Sequence, residues 1–199
     1  IGKNFKARVV DLFKGPNGQN IHKVRLLDGE IKVNDDCELV VDKDRRRRIE
    51  ANHSSVHLLQ LALQQVVSKT IKQAGSYVDD ERLRFDFTYS GKISDDDLVK
   101  VEEYVNNEIA KKIIVSTEVM PIDAAKELGA MALFNEKYGD KVRVVKIGKS
   151  IELCGGTHAA NTSDIRNFAI YNFESQGSNT YRIEAATASR AEQQLFDVI

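Results

Sequence analysis

An α+β fold is predicted, in which a small β-rich segment leads into a larger domain built on one long helix. Three observations predict it. Short β-prone runs alternate with turn signals up to about residue 43. A long apolar helical pattern then takes over from about Arg45. After Ser76, strand-like runs are interspersed with shorter helical ones. The expected organisation is a small β-barrel-like subdomain over 1–43 and an α+β domain over 44–187, whose long central helix packs on an antiparallel sheet. The start of a linker helix is expected over 188–199.

Each element has its own justification. Phe5 to Phe13 is rich in β-branched and aromatic residues, and Gly15-Pro16-Asn17-Gly18 is a turn signal. Ile21 to Leu27 alternates loosely, Asp28-Gly29 marks a further hairpin, and Glu38 to Val41 closes the set. Three or four such strands predict a small barrel or meander. Five basic residues fall between Lys43 and Arg48, at a helix entrance where the macrodipole disfavours positive charge. The run reads either as a solvated helix start or as a phosphate contact, with Arg45, Arg46 and Arg48 as the contacting residues.

The helix itself is predicted from near Arg45 to near Gln73, with Gly75 as its stop. Ile49, Val56, Leu59, Leu63, Val66 and Val67 form one stripe, which Leu58, Leu61 and Ala62 widen. A helix apolar over so much of its surface is central and mostly buried. Leu83 to Tyr89 alternates strictly, and Ser94 followed by Asp95-Asp96-Asp97 caps the next helix, with Leu98, Val101, Tyr104, Val105 and Ile109 facing inward. Ile113 to Val119 reads as a strand, Ile122 to Leu128 as a short helix stopped by Gly129, and Val142 to Ile147 as a strand leading to Cys154. Phe168 to Phe173 and Tyr181 to Thr187 complete the sheet, and a helix begins at Ala188.

Composition narrows the function classes. The net charge is −1, so no global field draws in nucleic acid, and any RNA contact needs a local patch. No apolar run is long enough to cross a bilayer, so no membrane partner is expected. No signal peptide is expected, and two distant cysteines do not make a disulfide framework. A thiolate ligand suits a reducing compartment, and a cytoplasmic location is expected. The chain starts at Ile1 rather than methionine, which predicts a piece of a longer protein.

The chemistry concentrates in two windows, Asn52 to His57 and Cys154-Gly155-Gly156-Thr157-His158. Three of the four histidines and one of the two cysteines lie there. His53 and His57 are four apart on the predicted helix, so they project from one face. The two glycines disfavour helix between Cys154 and His158 and allow a tight turn that brings both ends together. Three imidazoles and a thiolate suit tetrahedral Zn2+. The helical zinc-protease motif does not fit, because Ser54 stands where that motif needs its general-base glutamate.

These residues resemble a known family. Asp42 to Leu59, Gln73-Ala74-Gly75-Ser76, Leu83 to Phe87, Gly129 to Gly139, Glu152 to His158 and Arg182 to Ala185 are together similar to the editing region of alanyl-tRNA synthetases and to the free-standing editing proteins related to it. The Ala-Leu-Phe…Glu-Lys-Tyr-Gly run looks like the synthetase-embedded form. The resemblance implies hydrolysis of the ester that joins serine or glycine to alanine-specific tRNA. An alanine site cannot exclude glycine by size, and serine adds only a hydroxyl, so a second hydrolytic site is needed. It further implies zinc ligation by His53, His57, Cys154 and His158, a substrate-facing Gln73, and the rest of a synthetase chain as partner. Asp164 reads either as an orienting carboxylate or as a simple turn or cap residue. Val56 and Arg166 depart from the family pattern, which commonly has threonine and glycine there.

Two other readings stay open on the sequence. One is a zinc-stapled tRNA-binding module without catalysis, since four protein ligands describe a closed, structural zinc. The other is an editing domain of the threonyl-tRNA synthetase type.

Overall fold

The computed structural model describes residues 1–131 and 139–196, with side chains described through residue 193. Ala132 to Tyr138, part of the Gly129–Gly139 stretch quoted above, lie outside the described residues, as do residues 197–199. The fold is mixed α+β with antiparallel sheets, and the chain divides into two compact units, Ile1–Asp42 and Lys43–Ile199.

The first unit is a hairpin. Strands β1 (Phe5–Lys14) and β2 (Asn20–Gly29) pair antiparallel from Lys14↔Asn20 to Phe5↔Gly29. The connecting turn closes when Gly15 N–H donates to Gln19 O and Gly18 N–H to Gly15 O, both at 2.9 Å. Gly18 has φ 77°, a backbone state that glycine adopts without steric cost. The expected barrel does not close. Among the described residues the unit holds one two-stranded sheet, and Glu38–Val41 is not a strand. The Gly2↔Cys37 bridge and the Ile1–Glu38 hydrogen bonds tie its start to the N-terminal segment, ahead of β1. Leu39, Val40 and Val41 join no ladder among the described residues and stay exposed.

The second unit is organised on α1 (Lys43–Val66). From Ala51 to Leu63 every residue but His53 is buried. Leu58, Leu59 and Leu63 pack in one core with Phe85, Phe87, Val101, Val105, Ile165 and Ile183. Buried Asn52 fixes the helix further: its Nδ2 donates to Asp79 O (2.9 Å) and its Oδ1 accepts from Thr187 Oγ1 (2.8 Å).

The helix is shorter than the predicted span to Gln73. Val67 and Ser68 both donate to Leu63 O, and Ile71 N–H turns back to Ser68 O. The run from Val66 to Ile71 is rich in β-branched residues, whose stiff χ1 favours strand, and β3 (Lys72–Val78) follows at once. Gln73 therefore lies on a strand. Gly75 is no helix stop but sits at a register shift where β3 pairs with the strand Leu83–Thr88, and glycine suits a bulge there.

A four-stranded antiparallel sheet runs in the order β3, β4 (Leu83–Thr88), β9 (Thr180–Thr187), β8 (Phe168–Gly177). The alternation in β4 places Leu83, Phe85 and Phe87 in the core. Helix α2 (Asp95–Ala110) has a full capping box between Ser94 and Asp97, and Val101, Val105 and Ile109 face inward. A second sheet, rather than an extension of the first, holds β5 (Ser116–Pro121), β6 (Lys141–Ile147) and β7 (Ser150–Leu153). Helix α3 (Ile122–Glu127) follows β5, and Gly129 beyond it has φ 75°. Strand β7 has no counterpart among the predicted elements. It pairs with β6 and delivers the chain to Cys154. A 3₁₀ turn (Thr162–Ile165) and helix α4 (Ala188–Phe196) complete the unit.

Candidate metal centre

One helix and one loop build the site. Helix α1 presents His53 and His57 one turn apart, with ring centroids 5.5 Å from each other. The loop after β7 supplies Cys154 and His158. Its start is held by Cys154 N–H on Arg143 O (3.0 Å), and the Arg143 guanidinium donates through Nη1 to Cys154 O (2.9 Å) and Gly156 O (2.7 Å). Gly156 is required by space. A Cβ there would lie 2.0 Å from His53 Cε1.

The four donor atoms lie within 4.8 Å of one another. Cys154 Sγ is 3.5 Å from His53 Nε2 and 3.4 Å from His158 Nε2. Tetrahedral zinc, with bonds of about 2.0 Å to nitrogen and 2.3 Å to sulfur, separates such atoms by roughly 3.5 Å. The donor set and its spacing therefore fit a divalent ion of that kind.

The surroundings hold the donors in a binding arrangement. Burial opposes charge on His57, but the Glu152 carboxylate and the Cys154 sulfur outweigh it and raise its pKa to about 9. Burial pushes the Cys154 thiol up, yet hydrogen bonds from His158, His53 and His57 hold it down at about 3. Burial also lowers the pKa of His158. These shifts favour an anionic sulfur beside a charged His57, whose proton a bound cation would displace. Buried Ser54 accepts from Ala159 N–H (3.0 Å) and lies 3.2 Å from His158 Nδ1. A His158 tautomer with its proton on Nδ1, directed at Ser54, would leave Nε2 to face a metal. Ser54, which rules out the protease motif, thus contacts a candidate ligand.

Other residues singled out in the sequence lie elsewhere. Gln73 on β3 donates through Nε2 to Ser76 Oγ (3.2 Å). Asp164 is exposed, and its carboxylate accepts from Asn161 N–H (3.1 Å) in the capping box of the 3₁₀ turn. Among the described residues, neither hydrogen-bonds to the four donors. Arg45 Nε and Arg48 Nη2 both donate to Asp80 (3.1 and 3.2 Å), and Arg46 lies 3.8 Å from Glu50. Sequence reasoning left Glu152 and Arg143 without a role. The signal for Glu152 was an acid between two apolar residues of a short run, Ile151-Glu152-Leu153.

Residues 142–184 match the family profile described as the threonyl and alanyl tRNA synthetase second additional domain. That segment carries Cys154 and His158, so it defines a tRNA-synthetase-associated domain. The alanine–tRNA ligase of Listeria welshimeri is 50% identical over 186 residues, 93% of this chain and 21% of the relative. Those of Halalkalibacterium halodurans and Staphylococcus aureus are each 46% identical, over 96% and 98% of this chain and 22% of the relative. The chain spans about a fifth of the length of these curated relatives. It is an alanyl-tRNA synthetase-related domain.

Proposed function

We propose that this domain hydrolyses the ester of alanine-specific tRNA mischarged with serine or glycine, as the editing part of an alanine–tRNA ligase. The observation that carries this reading is the convergence of His53, His57, Cys154 and His158, from two distant windows, to within 4.8 Å. The similarity to alanine–tRNA ligases supports the substrate class. The whole synthetase chain and the tRNA are the proposed partners, and the cytoplasm the proposed location.

Zn2+ bound by these four side chains would supply a Lewis acid beside the aminoacyl group. The chain's residues do the rest. The Cys154–His158 loop, braced by Arg143, and helix α1 hold the donors in place before substrate arrives. Ser54 holds the Nδ1 proton of His158 away from the site. Gln73 and Asp164 are proposed to orient the ester and the attacking water. Water adds to the carbonyl carbon and the ester bond to the tRNA ribose breaks, which leaves a free amino acid and an uncharged tRNA. Arg45, Arg46 and Arg48 are proposed to meet tRNA phosphates, exchanging Asp80 and Glu50 for them.

The experiment is deacylation of seryl- and glycyl-tRNA by the chain, with and without a chelator, while circular dichroism follows the fold. Deacylation lost on chelation with the fold retained supports the reading. A folded, zinc-loaded chain without deacylation on either substrate refutes it. One observation favours a second reading, a zinc-stapled tRNA-binding module: four protein donors fill a tetrahedral ion's positions. Unfolding on chelation, with tRNA binding but no hydrolysis by the loaded chain, would select it.

A further inference from the structure

Strand β7 places a buried carboxylate directly behind the metal centre. Glu152 Oε2 lies 3.1 Å from His57 Nδ1, and both side chains are about 5% exposed or less. The contact is an ion pair by distance and not a straight hydrogen bond, since His57 Nδ1 has no partner of good hydrogen-bond geometry. The other carboxylate oxygen, Oε1, accepts from buried Ser150 Oγ at 2.8 Å. The strand is pinned on that side as well: Met131 N–H donates to Ile151 O and Leu153 N–H to Met131 O, both at 2.8 Å. Among the described residues, Glu152 is the one acid at ion-pair distance from a histidine of the donor set.

We propose that Glu152 is a positioning residue for the metal: when the metal is bound, its carboxylate accepts a hydrogen bond from the Nδ1–H of His57 and so aims Nε2 into the site. This deepens the zinc reading above and rests on it. Two physical arguments carry it. A ligating histidine needs its second nitrogen anchored, because the anchor fixes both the tautomer and the ring plane and makes the metal-facing nitrogen more basic. In addition, a dication met by a single thiolate leaves uncompensated positive charge in a largely buried site, and Arg143, which reaches the loop from β6, adds to it. A carboxylate at 3.1 Å from a ligand offsets that charge where water cannot. The same side chain could not do this from a mobile position. Ser150 and the Met131 contacts fix it at the bottom of the site, so it positions a ligand and does not touch substrate.

The test is a Zn2+ competition titration against a chromophoric chelator, on the complete chain and on Glu152→Gln, with thermal melts of the metal-free proteins. Cobalt substitution adds a spectroscopic readout, because the thiolate-to-cobalt band and the ligand-field bands report on ligand geometry. Loss of an anchor of this kind costs roughly 10–100-fold in metal affinity. E152Q should show that loss, with altered ligand-field bands and an intact thiolate band. Glu152→Asp should recover part of the affinity. Zinc affinity within twofold of the parent chain and an unchanged cobalt spectrum in E152Q would overturn the proposal. Should E152Q not fold, Ser150→Ala decides the matter, since it keeps the carboxylate but frees it. A threefold or greater weakening supports positioning, and unchanged affinity rejects it. A parent chain that binds no zinc at all defeats the metal reading itself, whereas a zinc-binding parent with an indifferent E152Q defeats only this inference.

Discussion

Adding one methyl group to the loop should disable the metal centre, and adding it one residue earlier should not. In Gly156→Ala the new Cβ would stand 2.0 Å from His53 Cε1, 2.6 Å from Nδ1 and 3.3 Å from Nε2. Carbon atoms in contact rest about 3.5–4.0 Å apart, so the imidazole or the loop must move by roughly 1.5 Å. A metal site tolerates only about 0.2 Å of error in each ligand distance. Displacement of His53 leaves three donors, and moving the loop instead shifts Cys154 and His158, so either response breaks the set. The expected loss is at least about 100-fold in zinc affinity, equivalent to about 2.8 kcal/mol at 1.4 kcal/mol per tenfold. Gly155→Ala is the matched control, because its Cβ would meet nothing within 4 Å. The assay is zinc competition titration of both variants beside the parent, with circular dichroism to follow the fold. Parent-like affinity in G156A would refute the claim that the loop's close approach to His53 positions the ligands.

Cys154→Ala should lose zinc and deacylation together, while His22→Ala and Cys37→Ala keep both; full deacylation by a zinc-free C154A chain would remove the metal from the chemistry. Replacing Arg45, Arg46 and Arg48 with glutamine should weaken tRNA binding and reduce the slope of log affinity against log salt by up to about one unit for each phosphate no longer neutralised, and an unchanged slope would mark the run as solvated surface. Leu63→Ala, at a fully buried position of α1, should lower stability by about 2–5 kcal/mol in denaturant unfolding, and a loss under about 1 kcal/mol would contradict its place in the core. Arg166 sits at φ 71°, ψ −78° in a turn closed by Asn167 N–H on Ile165 O (3.1 Å), so Arg166→Gly should raise stability by about 1 kcal/mol, and a lower melting temperature would deny the strain.

Local signals were readable in the chain because they act within a few residues. The i, i+4 spacing of His53 and His57, the Ser94–Asp97 box and the alternation of Leu83, Phe85 and Phe87 each follow from the geometry of one helix turn or one strand. So did the stop of α3 at Gly129, whose φ of 75° favours glycine. The pairing of the two histidine windows came from ligand chemistry, since three imidazoles and a thiolate have few other reasons to be grouped.

What the tertiary structure alone decided depends on partners distant in sequence. The pairing of Lys72 and Gln73 with β4 decided that Gln73 lies on a strand and not on a helix. Glu38 to Val41 formed no strand and left the expected barrel unclosed. Arg166 stands where the resembled family commonly has glycine, and the physical reason shows only in its backbone at positive φ. Ser54 and Glu152 carry no periodic mark at all. They acquire their roles because folding brings Ser54 to His158, 104 residues away, and sets Glu152 on β7 against His57 of α1. Sequence patterns record which face of an element is buried, because burial repeats with the period of the helix or strand. They do not record which polar atom meets which across the core, because such a contact occurs once and has no period.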